Sequence, residues 1–136
     1  MTTIPEKLQS IKEEFSIFSD PRDKYVYLVD LAKNSEGLSV ENQCEKNRIN
    51  GCTSQAWVTG EMRQDNFFFK TDSDAMIVKG LLSLIERSFN GHTAKEILAI
   101  DGKDFLESVG LDRAISSQRT NGFSNAINKI QKELLI

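Results

Sequence analysis

A chain of 136 residues carries 17 basic and 20 acidic side chains, a net charge of −3 at neutral pH. Because these charges are spread along the chain, it offers no clustered basic surface of the kind that phosphate-driven nucleic-acid binding requires. With 39% hydrophobic and 27% charged residues, the composition is that of an ordinary globular protein, and the length suits one domain, 1-136, around a single core.

The first residues show no basic segment followed by an apolar run, so no signal peptide is expected. The longest apolar stretch, Ile77 to Ile85, is interrupted by Lys79, Gly80 and Ser83 and is too short to span a bilayer. The expected location is the cytoplasm, with both cysteines reduced.

Thr3 and Glu6 form a capping box for a first helix, with Pro5 in its first turn and Ile4, Leu8, Ile11 and Phe15 as its apolar stripe. Asp20-Pro21 starts a second helix, with Tyr25, Leu28, Val29 and Ala32 facing inward, and the two helices are expected to pair antiparallel. After a polar stretch from 38 to 50, strands are expected over Gln55–Thr59 and Asn66–Thr71, joined by a turn over Gly60–Asp65. An edge strand near Arg48–Asn50 would complete a sheet of about three strands. Ala75–Phe89 reads as a largely buried helix, capped by Asp72, Ser73 or Asp74. Short helices follow at Ala94–Leu98 and Lys103–Val109, then a last helix from Ser116 or Ser117 to about Leu134. The order predicts an α+β domain, a small antiparallel sheet covered by helices.

The residue with the most chemistry is Cys52, set in Asn47-Arg48-Ile49-Asn50-Gly51-Cys52-Thr53-Ser54-Gln55-Ala56-Trp57. Gly51 permits a turn that other residues avoid and would present the thiol from a loop tip, where Ser54 and Gln55 can donate hydrogen bonds to a thiolate. A neighbouring guanidinium would stabilise the thiolate further; Arg119, just inside the last helix, is either that group, folded back on the loop, or a solvated side chain. The competing reading makes Cys52 a small, inert core residue. Cys44, flanked by acidic residues, is either incidental or a resolving thiol for an oxidised Cys52.

Two cysteines and the lone His92, with no CxxC, give no zinc set and no iron-sulfur scaffold, so no metal is expected. His92 reads as a surface residue at a helix end, which leaves a Cys-His nucleophile pair without support. Asp72 and Asp74 read as helix caps rather than a catalytic carboxylate pair. Lys79 is either a snorkelling side chain or part of a partner surface.

Taken together, these segments resemble the SufE family and its CsdE paralogues. The family's N-x-x-x-G-C-Q-S-Q-x-W loop is matched by Asn47, Gly51, Cys52, Ser54, Gln55 and Trp57, with Thr53 in place of glutamine. A D-S-D-A-x-I-V-K-G-L segment is matched by Asp72 to Ala75 and Ile77 to Leu81, and S-x-R-x-x-G by Ser117, Arg119 and Gly122. Lys24-Tyr25 and Leu28 to Leu31 are similar to the family's K-Y-x-x-L-I-x-L.

The resemblance implies a fold shared with IscU-type scaffolds and a role as sulfur acceptor. A cysteine desulfurase, SufS- or CsdA-like, would hold sulfur as a persulfide and keep the PLP, so this chain needs no cofactor of its own. Cys52 would carry the transient persulfide, with Gly51, Ser54, Gln55 and Arg119 supporting it, and pass the sulfur to an iron-sulfur scaffold complex. Asp74 and Lys79 would lie on the partner surface. A thiol redox protein using Cys52 with Cys44, and a non-catalytic docking module, are the alternatives.

Overall fold

The computed structural model describes residues 2–135; Met1 and Ile136, the ends of the expected domain, lie outside the described residues. Helix α1 (Ile4–Phe15) opens on the expected capping box: the Thr3 hydroxyl accepts from the Glu6 N–H, and the Glu6 carboxylate accepts from the Thr3 N–H. Ile4, Leu8, Ile11 and Phe15 are buried, so the helical spacing of the sequence is the stripe that the core receives.

Helix α2 (Pro21–Lys33) starts at Asp20, whose carboxylate accepts from the Arg22 N–H at 2.9 Å. Its inward face is narrower than expected. Leu28 and Ala32 are buried, Val29 is half-buried, and Tyr25 is 37% exposed. The two helices touch where the Phe15 and Tyr27 rings meet edge-on at 5.2 Å, but each packs on α3 (Met76–Phe89).

Strands β1 (Ala56–Arg63) and β2 (Asn66–Ser73) pair antiparallel from Ala56↔Ser73 to Arg63↔Asn66. The connection is shorter than the expected Gly60–Asp65 turn. Only Gln64 (φ 52°) and Asp65 (φ 70°) turn, with the two positive φ values that a two-residue hairpin favours. Phe67, Phe69 and Thr71 point into the core, while Lys70 faces solvent.

The expected third strand reduces to one bridge, Arg48↔Trp57, with the Ile49 N–H donating to the Ala56 carbonyl at 2.8 Å. It ends there because Glu45–Asn47 is a tight 3-10 turn and Gly51 (φ 85°) turns the chain away from β1.

The cap of α3 is Ala75, not Asp72, Ser73 or Asp74. Asp72 and Ser73 belong to β2, and the Asp74 carboxylate is engaged elsewhere, so the helix starts one residue later and without a side-chain cap. Helix α3 then buries Ile77, Leu81, Leu82, Leu84, Ile85 and Phe89 at the centre of the molecule.

Helix α4 (Ala94–Leu98) has a second capping box, Thr93 with Glu96. It is followed by α5 (Gly102–Ser108) and α6 (Ser117–Lys129), which runs on as a wider turn over Ile130–Leu134. A file of rings, Phe67, Phe69, Phe89, Phe105 and Phe123, crosses the core from β2 to α6 with centroids 5.0–6.4 Å apart.

His92 is buried at 2% exposure rather than a surface residue. Its carbonyl accepts from the Phe67 N–H at 2.9 Å, which draws it under the edge of β2, and its Nδ1 lies 2.8 Å from Glu96. Among the described residues, no helix is long and apolar enough to cross a membrane.

Candidate functional site around Cys52

The loop carrying Cys52 is tied down at both ends. On the incoming side, buried Ile49 is held to Ala56, and Gly51 then turns with φ 85°. A Cβ on Gly51 would stand 2.2 Å from the Asn125 amide nitrogen, the movable end of an α6 side chain, so it is the φ of 85° that makes the turn need glycine. On the outgoing side the Gln55 backbone is clamped to the junction of β2 and α3. Its N–H donates to Asp74 Oδ1 (3.1 Å), and its carbonyl accepts from Ser73 Oγ (2.7 Å) and the Asp74 N–H (3.1 Å).

Between these ties Cys52 turns inward instead of standing at an exposed tip. It is half-buried, packed against Val78, Leu81 and Leu82 of α3 and Gly122 and Phe123 of α6. A Cβ built on Gly122 would lie 2.8 Å from the sulfur, so the thiol rests directly on the α6 backbone. The cavity beside it is about 10 Å³, room on the order of one small atom. Thr53 and Ser54 line the rim on the loop side, and Gln118 and Arg119 line it on α6. The Arg119 guanidinium also faces Tyr25 of α2, 6.0 Å from the ring centroid.

Burial pushes the Cys52 thiol above its ordinary pKa, and the charge of Arg48 pulls it partly back. The cation that acts on the resting thiol is thus Arg48, a residue that sequence reasoning passed over although it stands four positions away. The signal was the loop itself, since a chain that returns to Trp57 keeps Arg48 beside the site. Arg119, expected from a distance of 67 positions, does reach the pocket. Among the described residues, neither Ser54 nor Gln55 donates a side-chain hydrogen bond to the sulfur; Gln55 acts through its backbone.

The Asp74 side of the site is built into the fold. Asp74 is exposed, yet its carboxylate holds the loop. Lys79 pairs with Asp72 at 3.6 Å, with the two side chains only 19% and 13% exposed, so most of its charge is turned inward. Asp72 also accepts from the Leu38 N–H (2.9 Å), Gln43 Nε2 (3.2 Å) and the Ser73 N–H (2.8 Å). It therefore fastens the polar stretch before the loop to β2.

Cys44 is exposed and Cys52 half-buried, and both are free thiols. Among the described residues, no group of three or more histidine, cysteine, aspartate or glutamate side chains is placed to hold a metal ion.

Comparison with known proteins bears on the family of the chain. A family model described as SufE, the Fe-S metabolism associated domain, matches residues 9–134. An uncharacterized SufE-like protein of Synechocystis sp. is 33% identical over 133 residues, covering 98% of this chain and 83% of its own. One of Rhizobium meliloti is 34% identical over 130 residues, covering 93% of each. The chloroplastic/mitochondrial SufE-like protein 1 of Arabidopsis thaliana is 34% identical, over 97% of this chain and 36% of its own length.

A solution structure of a hypothetical protein from Thermus thermophilus superposes with a TM-score of 0.76 at 18% identity, covering 94% of this chain and 93% of that one; it shares the α+β fold. With a family model along nearly the whole chain and relatives at one-third identity, this chain belongs to the SufE family, whose domain is associated with Fe-S metabolism.

Proposed function

We propose that this chain is a sulfur acceptor and carrier for iron-sulfur cluster assembly, with Cys52 as the carrying residue. The observation that supports it most is the setting of Cys52: a lone half-sheltered sulfur in the family's loop, between an apolar floor and a rim that includes Arg119. A cluster scaffold needs several ligands; a carrier needs one thiol that reacts when a partner opens the way to it.

The donor is a persulfide on a cysteine desulfurase, which keeps its own PLP. The Cys52 thiolate attacks the outer sulfur of the donor persulfide. A sulfur-sulfur bond forms at Cys52, the donor's own sulfur-sulfur bond breaks, and the donor cysteine leaves as a thiolate. The outer sulfur keeps its proton, so Cys52 ends as a persulfide. Clearing the donor cysteine frees the desulfurase for its next turn, so faster desulfurase turnover is the expected consequence.

In the resting protein burial favours the neutral form of the thiol. Docking has to bring it toward water, where burial no longer opposes the thiolate that the charge of Arg48 already favours, and Arg119 at the rim supplies positive charge to the anionic sulfur. The loop, with exposed Gln55, Thr53 and Asp74 around it, is the face the desulfurase meets. The sulfur then passes to a scaffold complex by a second exchange of the same kind.

The test is mass spectrometry after incubation with a desulfurase and cysteine. The expected result is a gain of one sulfur atom on the Cys52 peptide, removed by reductant, together with faster desulfurase turnover. Cys52→Ser should do neither. A Cys52→Ser protein that stimulates and accepts sulfur as well as the native chain would sink the proposal.

A further inference from the structure

Gly122 lies in the first half of α6, facing the sulfur, at a point where an α-helix gains nothing from glycine. Alanine there would favour the helix, because glycine's extra backbone freedom is lost on folding. The space around Gly122 gives the countervailing reason. An added Cβ would stand 2.8 Å from Cys52 Sγ, while the Cys52 Cα and Cβ, at 3.7 and 3.8 Å, would remain in ordinary contact. The conflict is thus confined to the sulfur atom itself. The contacting atom is the end of a short side chain on a loop fixed only at its two ends, so the sulfur, and not the helix, is the part that yields.

We propose that Gly122 is the positioning residue for Cys52: the missing side chain makes the seat in which the sulfur rests, and a methyl group at this position turns the sulfur outward. The seat sets the division between holding and exposing the thiol. Val78, Leu81, Leu82 and Phe123 complete its apolar wall, but among these neighbours only Gly122 gives the sulfur its space by lacking an atom.

For sulfur handling, which rests on the carrier reading above, the seat governs how long an acquired sulfur survives. An external thiolate that reaches the Cys52 persulfide attacks its outer sulfur, breaks the bond to Cys52 and releases Cys52 as a thiolate. The attacking thiol leaves as the new persulfide. A seated persulfide is withdrawn from that attack, and one turned outward is open to it.

The seat is tested without any sulfur donor, by alkylation of the purified full chain with iodoacetamide. Exposed Cys44 serves as the internal reference within each molecule. In Gly122→Ala, Cys52 should alkylate on the order of tenfold faster at neutral pH, through greater access and a larger thiolate fraction, while the Cys44 rate stays unchanged. The pH profile of Cys52 should move down toward that of an open thiol, with an unchanged circular dichroism spectrum.

Thermal melts complete a double-mutant cycle. In a Cys52→Ala background, Gly122→Ala should raise the melting temperature, since helix propensity then acts unopposed. In the native background the gain should vanish or reverse. If Gly122→Ala fails to fold while the double variant folds, the sulfur contact is still the cause and the proposal stands. Native alkylation rates in Gly122→Ala, an additive cycle, or a double variant that also fails to fold would each overturn it. If the seat passes while the native chain accepts no sulfur, it is the carrier reading that fails.

Discussion

Cys52 is surrounded by two opposing influences, an apolar wall that favours the neutral thiol and the Arg48 charge that favours the thiolate, and the wall is the stronger. A thiol whose pKa is raised by folding binds its proton more tightly in the native state than in the unfolded chain. Its contribution to stability is complete below the unfolded pKa and is lost as pH rises through the folded one. The native chain should therefore lose stability on the alkaline side faster than Cys52→Ser, measured by denaturant midpoints across that range. Arg48→Met, which keeps the length of the side chain and removes its charge, should move the alkylation profile of Cys52 to still higher pH. An unmoved profile would remove Arg48 from the site. Gly51 and Arg119 could be read from the sequence because a turn glycine and a motif arginine are local signals. The Cys52–Gly122 contact could not, because it joins residues seventy positions apart and depends on how α6 lies against the loop.

At the level of elements, the Thr3–Glu6 capping box of α1 was the most readable feature, since it is written within four consecutive residues, and the like box on α4 is one that the structure adds. The box on α4 has a measurable consequence. Hydrogen bonds from the Thr93 backbone, His92 and the Thr93 hydroxyl hold Glu96 down to about 2. A carboxylate with a depressed folded pKa contributes stability above its unfolded pKa of 4.5 that disappears as pH falls toward about 2. Glu96→Gln should unfold with a flatter acid limb over that window, followed by circular dichroism at fixed temperature; an identical limb would mean that the box is not formed in solution. The start of α3 was misread for a related reason. Asp72, Ser73 and Asp74 have the composition of a cap, but the strand ladder and the Gln55 clamp claim them first. The hairpin was misread because Gly60 looks like a turn residue, whereas the positive φ angles fall on Gln64 and Asp65.

For the whole molecule, the α+β arrangement followed from the order of periodic segments, and the helical stripes identified the part of the core that α1, α2 and α3 supply. What the sequence could not disclose was the internal use of charge. Asp72 receives three N–H donors and the Lys79 ammonium in a largely covered setting, joining the stretch at Leu38 and Gln43 to β2 and α3. Removing the carboxylate strands several donors at once, while removing the ammonium leaves the three N–H bonds in place. Asp72→Ala should therefore cost about 3 kcal/mol or more, and Lys79→Met about 1–2 kcal/mol, in urea unfolding. Equal losses would show that the ion pair, not the hydrogen-bonded carboxylate, is what fastens this region.

The file of phenylalanine rings from Phe67 to Phe123 ends one residue from the helix backbone on which the Cys52 sulfur lies. Close-packed interiors transmit small displacements with little loss, so the fit around the sulfur inherits the stiffness of the hairpin, α3 and α5 together. Cys52 is in this sense a gauge embedded in the protein. The rate at which it meets a reagent reads out how firmly α6 is held against the loop, and Phe123, the ring of the file that lines its pocket, is where loosening would register first.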